Sequence, residues 1–355
     1  MNNQQSHTFK KPFITESGFR IPEPTIAYQT WGTLNKARNN AVLVCHALTG
    51  DASADEWFGG FFGAGKPLDP ERHLIICANV LSSCYGTTGP TSINPETGKA
   101  YRADFPIVTI RDIVRLQQQL LDELQISGIE MVIGGSMGGM QALEWCIMDE
   151  RPRSAVLIGM GKAHSPWTIG ISHTQRQAIY NDPDWNDGFY SEEHQPEKGL
   201  ALARMIAMNS YRHPADFEQK FGRELQDGSE QFQVESYLNY QGQKINRRFD
   251  AVSYVRLTQA MDSHDIARER PAFRDALQQL KIPILVMGID SDLLYPPEEC
   301  RELADLLPEG RYEEIHSPCG HDAFLIEFEL MNNIIKSFLI ENTTSMALMM
   351  NHQSK

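Results

Sequence analysis

The sequence predicts an α/β fold: a mostly parallel sheet flanked by helices and interrupted by one helical insertion. Three observations carry that reading. Short, continuous apolar runs recur at 41–45, 73–78, 130–133, 154–158 and 282–287, as strands buried on both faces require. Longer amphipathic stretches separate them, giving the β-α-β rhythm of a parallel sheet. From about residue 162 to 275 the rhythm stops; Gln, Arg, Tyr and Met fill helix-like patterns there, and no convincing strand is present.

Taken in order, Ala41 to Cys45 is a strand that runs into the loop His46-Ala47-Leu48-Thr49-Gly50. Residues 109–124 place Ile110, Ile113, Val114, Leu120, Leu121 and Leu124 at helical spacing and feed the strand ending at Ile133. Gly134-Gly135-Ser136-Met137-Gly138-Gly139 follows at once, ahead of a helical pattern from Met140 to Trp145. After the insertion, residues 284–287 are a strand entering the loop 288–296, and Tyr312 to Ile315 reads as the last strand. Gly320-His321 is expected to open an amphipathic helix. This order predicts a discontinuous catalytic domain, 1–161 with 276–340, a helical lid over 162–275, and a loosely held tail over 341–355.

Size and charge narrow the functions available. A chain of 355 residues, 41% apolar, accommodates one large domain with an insertion. Its 32 basic and 46 acidic residues leave a formal net charge of −14, which argues against nucleic acid or an anionic membrane as a general partner. No run of 18 apolar residues is present to span a membrane, and residues 1–11 lack the apolar stretch of a signal peptide, so a cytoplasmic location is expected. Six scattered cysteines without metal-ligand spacing suggest reduced thiols and no zinc site.

The strongest local signal is G-x-S-x-G around Ser136, between a strand and a helix. That context is the nucleophile elbow of the α/β-hydrolase fold, where glycines let strand and helix approach around a strained serine. The helix N-terminus beside Ser136 offers the Met137 N–H to an oxyanion. The plain alternative is a glycine-rich turn that only joins strand to helix; a P-loop is disfavoured because no Lys-Ser/Thr follows.

A serine nucleophile needs a base and an acid, which this fold supplies in the order Ser, Asp/Glu, His. Asp292 and Asp290 are the acid candidates, with Asp292 preferred; His321 is preferred as base over His316, which directly follows the last strand. The loop after the first of these strands provides the second oxyanion donor in such folds, which points to the Leu48 N–H, with His46 as support for the loop.

With these residues in place the chain strongly resembles the homoserine O-acetyltransferase family. The likeness rests on Ala27-Tyr28-Gln29-Thr30-Trp31-Gly32, Cys45 to Gly50, Gly86-Thr87-Thr88-Gly89-Pro90, Asp104-Phe105-Pro106, Thr109 to Asp112, Gly134 to Gly139, Arg204-Met205-Ile206, Val234 to Leu238, Ser291-Asp292 and Gly320 to Phe324. The resemblance implies acetyl transfer from acetyl-CoA to L-homoserine, a step of methionine biosynthesis, with Ser136, Asp292 and His321 as the triad. It implies no metal or prosthetic group, and a homodimer joined through the lids. It also gives Arg204 to the homoserine carboxylate and Asp322 to the amino group, with Tyr211 nearby. Plainer roles exist: Arg204 paired with a structural carboxylate, Asp322 as a helix-start residue. Trp167, Met205, Met208 and Tyr237 are candidates for the wall of a tunnel that excludes water. Two departures from the family pattern, Thr87-Thr88 where Ser-Thr is common and Ala207-Met208-Asn209, fall near that tunnel. The competing readings are a succinyl donor or serine acceptor, an esterase with the same triad, and a catalytically silent binding protein.

Overall fold

A computed structural model describes residues 4–270 and 272–353, and the strands of its main sheet are numbered here in chain order. They are β1 (Gln5–Thr8), β2 (Thr25–Trp31), β3 (Ala41–Cys45), β4 (Leu74–Ala78), β5 (Ile129–Gly135), β6 (Ala155–Ile158), β7 (Ile284–Ile289) and β8 (Gly310–Ile315), side by side in the order β1-β2-β4-β3-β5-β6-β7-β8. β3 to β8 pair in parallel, whereas β1 and β2 add on antiparallel. The apolar runs read from the sequence all become parallel strands, with ends shifted by one or two residues. β1 and β2 escaped that reading, because β1 is polar and largely exposed and is held by its backbone ladder to β2.

Alternation along each strand divides the core between two faces. From β3, Leu43 and Cys45 point toward α1 (Ile110–Glu123) and α2 (Met137–Met148), where Ile113, Leu120, Leu143 and Trp145 pack. Val42 and Val44 point the other way, onto Phe58, Phe61, Ile335 and Phe338. α1 begins where Thr109 and Asp112 cap each other, each side chain accepting the other's backbone N–H at 3.1 Å.

Between β6 and β7 the chain forms α3 (Pro166–Tyr180), α4 (Glu197–Tyr211), α5 (Pro214–Phe221), α6 (Gln233–Asn246) and α7 (Ala251–Asp262), and no strand of the main sheet among the described residues. α4 packs against both α3 and α6. The two ends of this excursion are stitched together: Ala163 bridges Asp265, the His164 N–H donates to the His264 carbonyl at 2.8 Å, and the Ile266 N–H to that of Lys162 at 3.1 Å. A long insertion thus leaves and re-enters the sheet through one narrow neck.

That neck is tied to the serine's own helix by a buried ion cluster. Glu144 of α2 accepts from Arg111 Nε at 3.2 Å and from Arg270 at 3.1 and 2.5 Å, while Arg111 also donates to the carbonyls of Asp265 and Arg268. Beyond β7 come α8 (Pro297–Leu306), β8, and α9 (Phe328–Gln353). The helix expected to open at Gly320 starts later: Gly320–Leu325 is a 3-10 turn, which gives His321 a tighter loop. Residues 341–353, expected as a tail, continue α9, and Glu341 pairs with Arg311 at 2.7 Å.

Removing Glu144 leaves two guanidinium groups without their buried countercharge. Glu144→Ala is expected to cost about 3–5 kcal/mol of folding stability, seen as a lowered urea midpoint at unchanged slope.

Candidate active site

Ser136 ends β5 and starts α2, and its backbone has φ 56° and ψ −126°. A side chain is rarely tolerated there, at a strain of roughly 1–3 kcal/mol. The conformation is held by neighbours: the Ser136 N–H donates to the Ile158 carbonyl at 2.8 Å, and the Met140 N–H to the Ser136 carbonyl at 3.1 Å. Two glycines are required by contact. A Cβ on Gly134 would overlap the backbone of Gly138, and a Cβ on Gly138 would overlap the Cys45 carbonyl at the end of β3.

The two other preferred residues meet in the interior. Asp292, in the loop after β7, lies 2.6 Å from His321 Nδ1 through Oδ2, and both side chains are buried. Its Oδ1 accepts the N–H groups of Leu294 and Tyr295 at 2.8 and 2.9 Å, so the carboxylate is fixed at both oxygens. The alternatives pair with each other elsewhere: Asp290 sits 3.0 Å from His316 Nδ1, and the His316 side chain is 76% exposed. Burial separates the two pairs. The imidazole of His321 packs among the rings of Tyr211, Tyr295 and Phe324, and the Gly159 backbone beside the Ile158 carbonyl that holds Ser136 lies against it. Its Nε2 is buried without a hydrogen-bond partner among the described residues.

Burial disfavours the imidazolium of His321. The negative charge and hydrogen bond of Asp292, assisted by Asp322, outweigh that effect and hold the group above the ordinary imidazole value. A base so placed accepts a proton readily once it is neutral.

His46 supports the first loop. Its Nε2 accepts the Val80 N–H at 3.1 Å, which leaves the proton on Nδ1 to donate to the Ala47 carbonyl at 2.8 Å. Burial pushes its pKa down, in keeping with this neutral form. Gln141 of α2 donates to the His46 carbonyl at 3.0 Å, so the loop is tied to the serine's helix. Neither Leu48 N–H nor Met137 N–H donates to another protein group among the described residues, and both remain available as donors.

On the insertion side, Arg204 of α4 has no ion-pair or hydrogen-bond partner among the described residues; its guanidinium lies 5.6 Å from the centroid of the Tyr211 ring. The structural carboxylate considered as its partner is absent there. Tyr211 lies between Arg204 and His321, with its ring centroid 5.6 Å from the guanidinium and 5.7 Å from the imidazole centroid. Asp322 pairs with Arg212 Nε at 2.9 Å. Arg212 carried no sequence signal beyond its place after Tyr211. Burial pushes the Asp322 carboxyl above the ordinary carboxylate range, opposed by the charges of Arg212, Arg204 and His321.

The four candidate wall residues differ. Trp167 is exposed but donates to the Leu293 carbonyl at 2.7 Å, Met208 is buried, Met205 lies near Gly242, and Tyr237 stacks on Phe217 and Phe221. Thr87 and Thr88 serve the scaffold. Their hydroxyls accept the backbone N–H groups of Ala27 and Thr25 at 2.9 and 2.8 Å, and Thr87 also donates to the Asn79 carbonyl. No group of three or more His, Cys, Asp or Glu among the described residues is placed to hold a metal ion, and no described helix is long and apolar enough to cross a membrane.

Residues 40–328 match the family model for the α/β hydrolase fold. A homoserine O-acetyltransferase of Chlorobium chlorochromatii is 51% identical over 336 residues, 94% of each chain. The chain belongs to the homoserine O-acetyltransferase family. Among solved structures, the homoserine O-acetyltransferase of Bacillus anthracis superposes with a TM-score of 0.86 at 29% identity, covering 95% of this chain and 97% of that one. Esterase E22 also superposes at 0.86, with 27% identity over 95% and 99% of the two chains. The homoserine O-acetyltransferase scaffold is therefore shared with an esterase, and the reaction must be argued from the groups around the serine.

Because His321 must be neutral to act as a base, kcat/KM for a thioester should fall as pH drops through its raised pKa. The acid limb is expected above the ordinary imidazole value of about 6.5. Asp292→Asn should lower that limb and cut turnover roughly 10⁴-fold, measured by thiol release across pH.

Proposed function

We propose that this protein is a homoserine O-acetyltransferase that moves an acetyl group from acetyl-CoA to L-homoserine through an acetyl-serine intermediate, in methionine biosynthesis. The observation that carries the reading is Arg204, without an ion-pair partner among the described residues, close enough for its charge to act on Asp322, with the buried Asp292–His321 pair joined to it through the Tyr211 ring. A cation and an anion set apart suit the carboxylate and ammonium of a free amino acid. The 51% identity to a homoserine O-acetyltransferase over nearly the whole chain supports the same substrate pair.

In the first half-reaction, His321 Nε2 takes the Ser136 hydroxyl proton while Oγ attacks the thioester carbonyl. The Leu48 and Met137 N–H groups stabilise the tetrahedral oxyanion. Collapse breaks the carbon–sulfur bond, and the protonated His321 returns its proton to the departing thiolate. In the second half-reaction homoserine is held by Arg204 and Asp322, near Tyr211. His321 deprotonates its hydroxyl, which attacks the acetyl carbonyl; collapse frees O-acetylhomoserine and restores the serine. No metal or prosthetic group has a part in these steps.

Water is the competing nucleophile, and helices α3 to α7 act as the lid that excludes it, with Met205, Met208 and Tyr237 in its wall. We place the enzyme in the cytoplasm as a homodimer joined through this lid. The esterase reading has one observation in its favour, the close superposition of esterase E22; it leaves Arg204, which has no ion-pair partner among the described residues and lies near Asp322, without a purpose.

The two readings separate in one assay. Thiol release from acetyl-CoA is expected to depend on homoserine, with far weaker response to serine and to succinyl-CoA as donor. Release at the same rate with homoserine omitted would establish hydrolysis instead.

A further inference from the structure

Arg212 stands where α4 gives way to the link into α5. Its Nε lies 2.9 Å from Asp322 Oδ2, and its Nη1 lies 3.3 Å from Oδ2 of Asp216, one turn on. Gly320 permits this approach: its φ is 65°, and a Cβ there would sit 2.6 Å from the Tyr211 carbonyl oxygen and 2.8 Å from the His213 nitrogen. The backbone of residues 211–213 is thus pressed against the loop that carries His321 and Asp322. The nearest approach is to Oδ2, and the other Asp322 oxygen, Oδ1, accepts no hydrogen bond from the described residues. One oxygen is held and one is left open.

We propose that Arg212 is the positioning residue of the acceptor pocket: it clamps Oδ2 of Asp322, keeps that carboxylate ionised, and so presents Oδ1 to the ammonium group of the amino-acid acceptor. The proposal rests on the reading of Asp322 as the amino-group holder. A carboxyl group this enclosed would otherwise favour its neutral form, and a neutral acid attracts an ammonium ion weakly. Arg212 does not repel the ligand on balance, because Asp216 supplies a second carboxylate and the Asp216, Arg212 and Asp322 group carries one net negative charge. The other charged and titratable groups facing this pair are Arg204, Tyr211 and Tyr237 from the insertion, and His321 and Cys319 from the loop that carries Asp322.

The test compares Arg212→Met, Arg212→Gln and Arg212→Lys with Asp322→Ala, in the full-length enzyme. Two readouts are taken across pH: the burst of thiol from acetyl-CoA alone, and turnover with L-homoserine. For Arg212→Met the homoserine KM should rise about tenfold or more while the burst rate stays near that of the parent enzyme. Loss of the guanidinium raises the Asp322 pKa further, so the acid limb of kcat/KM for homoserine should move to higher pH, whereas that of the burst, set by His321, should not rise, because a less ionised Asp322 supports the imidazolium less. Arg212→Gln, which keeps a donor without the charge, should show the same shift if the methionine variant does not fold, and Arg212→Lys should restore most of the affinity. An unchanged homoserine KM and pH limb in both uncharged variants, alongside a raised KM in Asp322→Ala, would overturn the role of Arg212 alone. An unchanged KM in Asp322→Ala would overturn the reading of Asp322, and the proposal with it.

Discussion

A serine side chain is held at φ 56°, a backbone conformation that an L residue adopts only under constraint, and the rest of the structure is arranged around that point. The turn puts the hydroxyl ahead of a helix N-terminus and clear of the sheet edge. It survives because β5, β3 and α2 approach so closely that Gly134 and Gly138 cannot carry a Cβ, and because β6 accepts the serine's own N–H. The parallel sheet supplies the rigidity. Its strands β3, β5 and β7 all end on the same edge, so the loops bearing Leu48, Ser136 and Asp292 converge there without any strand having to bend.

Around this turn the charges are placed by burial. Asp292 is fixed by two backbone N–H groups on one oxygen and by His321 on the other, so the imidazole has a single orientation. The insertion then adds two arginines in different settings: Arg204 without an ion-pair partner among the described residues, Arg212 paired with Asp322. The neck of the insertion is joined to α2 through Arg270 and Glu144, which couples the cover of the site to the helix that begins at the serine. In the proposed reaction this attachment keeps the cover of the acyl-serine joined to the core.

Much of this was legible in the sequence, for physical reasons that differ from residue to residue. β3 to β7 are buried on both faces, and continuous apolar runs announce such strands; β8 is a half-buried edge strand with a weaker pattern, and β1, built of Gln5 to Thr8, depends on backbone pairing and announces nothing. The serine motif was legible because close packing demands glycine at fixed positions. The choice of Asp292 over Asp290 and of His321 over His316 was open in sequence, since a short offset along a loop, two residues for the acids and five for the histidines, decides which side chain turns inward; the structure pairs the preferred residues in the core and their rivals at the surface. Arg212 was not legible, because its partner lies 110 positions away and only the fold brings the two together. Thr87 and Thr88 show the converse, a sequence departure near the expected tunnel that the fold uses to fasten a loop to β2.

The central claim is that Ser136 carries the acetyl group between the two substrates. Intact-mass and peptide mass spectrometry after mixing the protein with acetyl-CoA, first without and then with L-homoserine, tests it most directly. The account predicts a gain of one acetyl group on the peptide containing Ser136, its disappearance as O-acetylhomoserine forms, and no label in Ser136→Ala. Transfer to homoserine at the full rate in Ser136→Ala, or a label on another residue that homoserine removes, would contradict it.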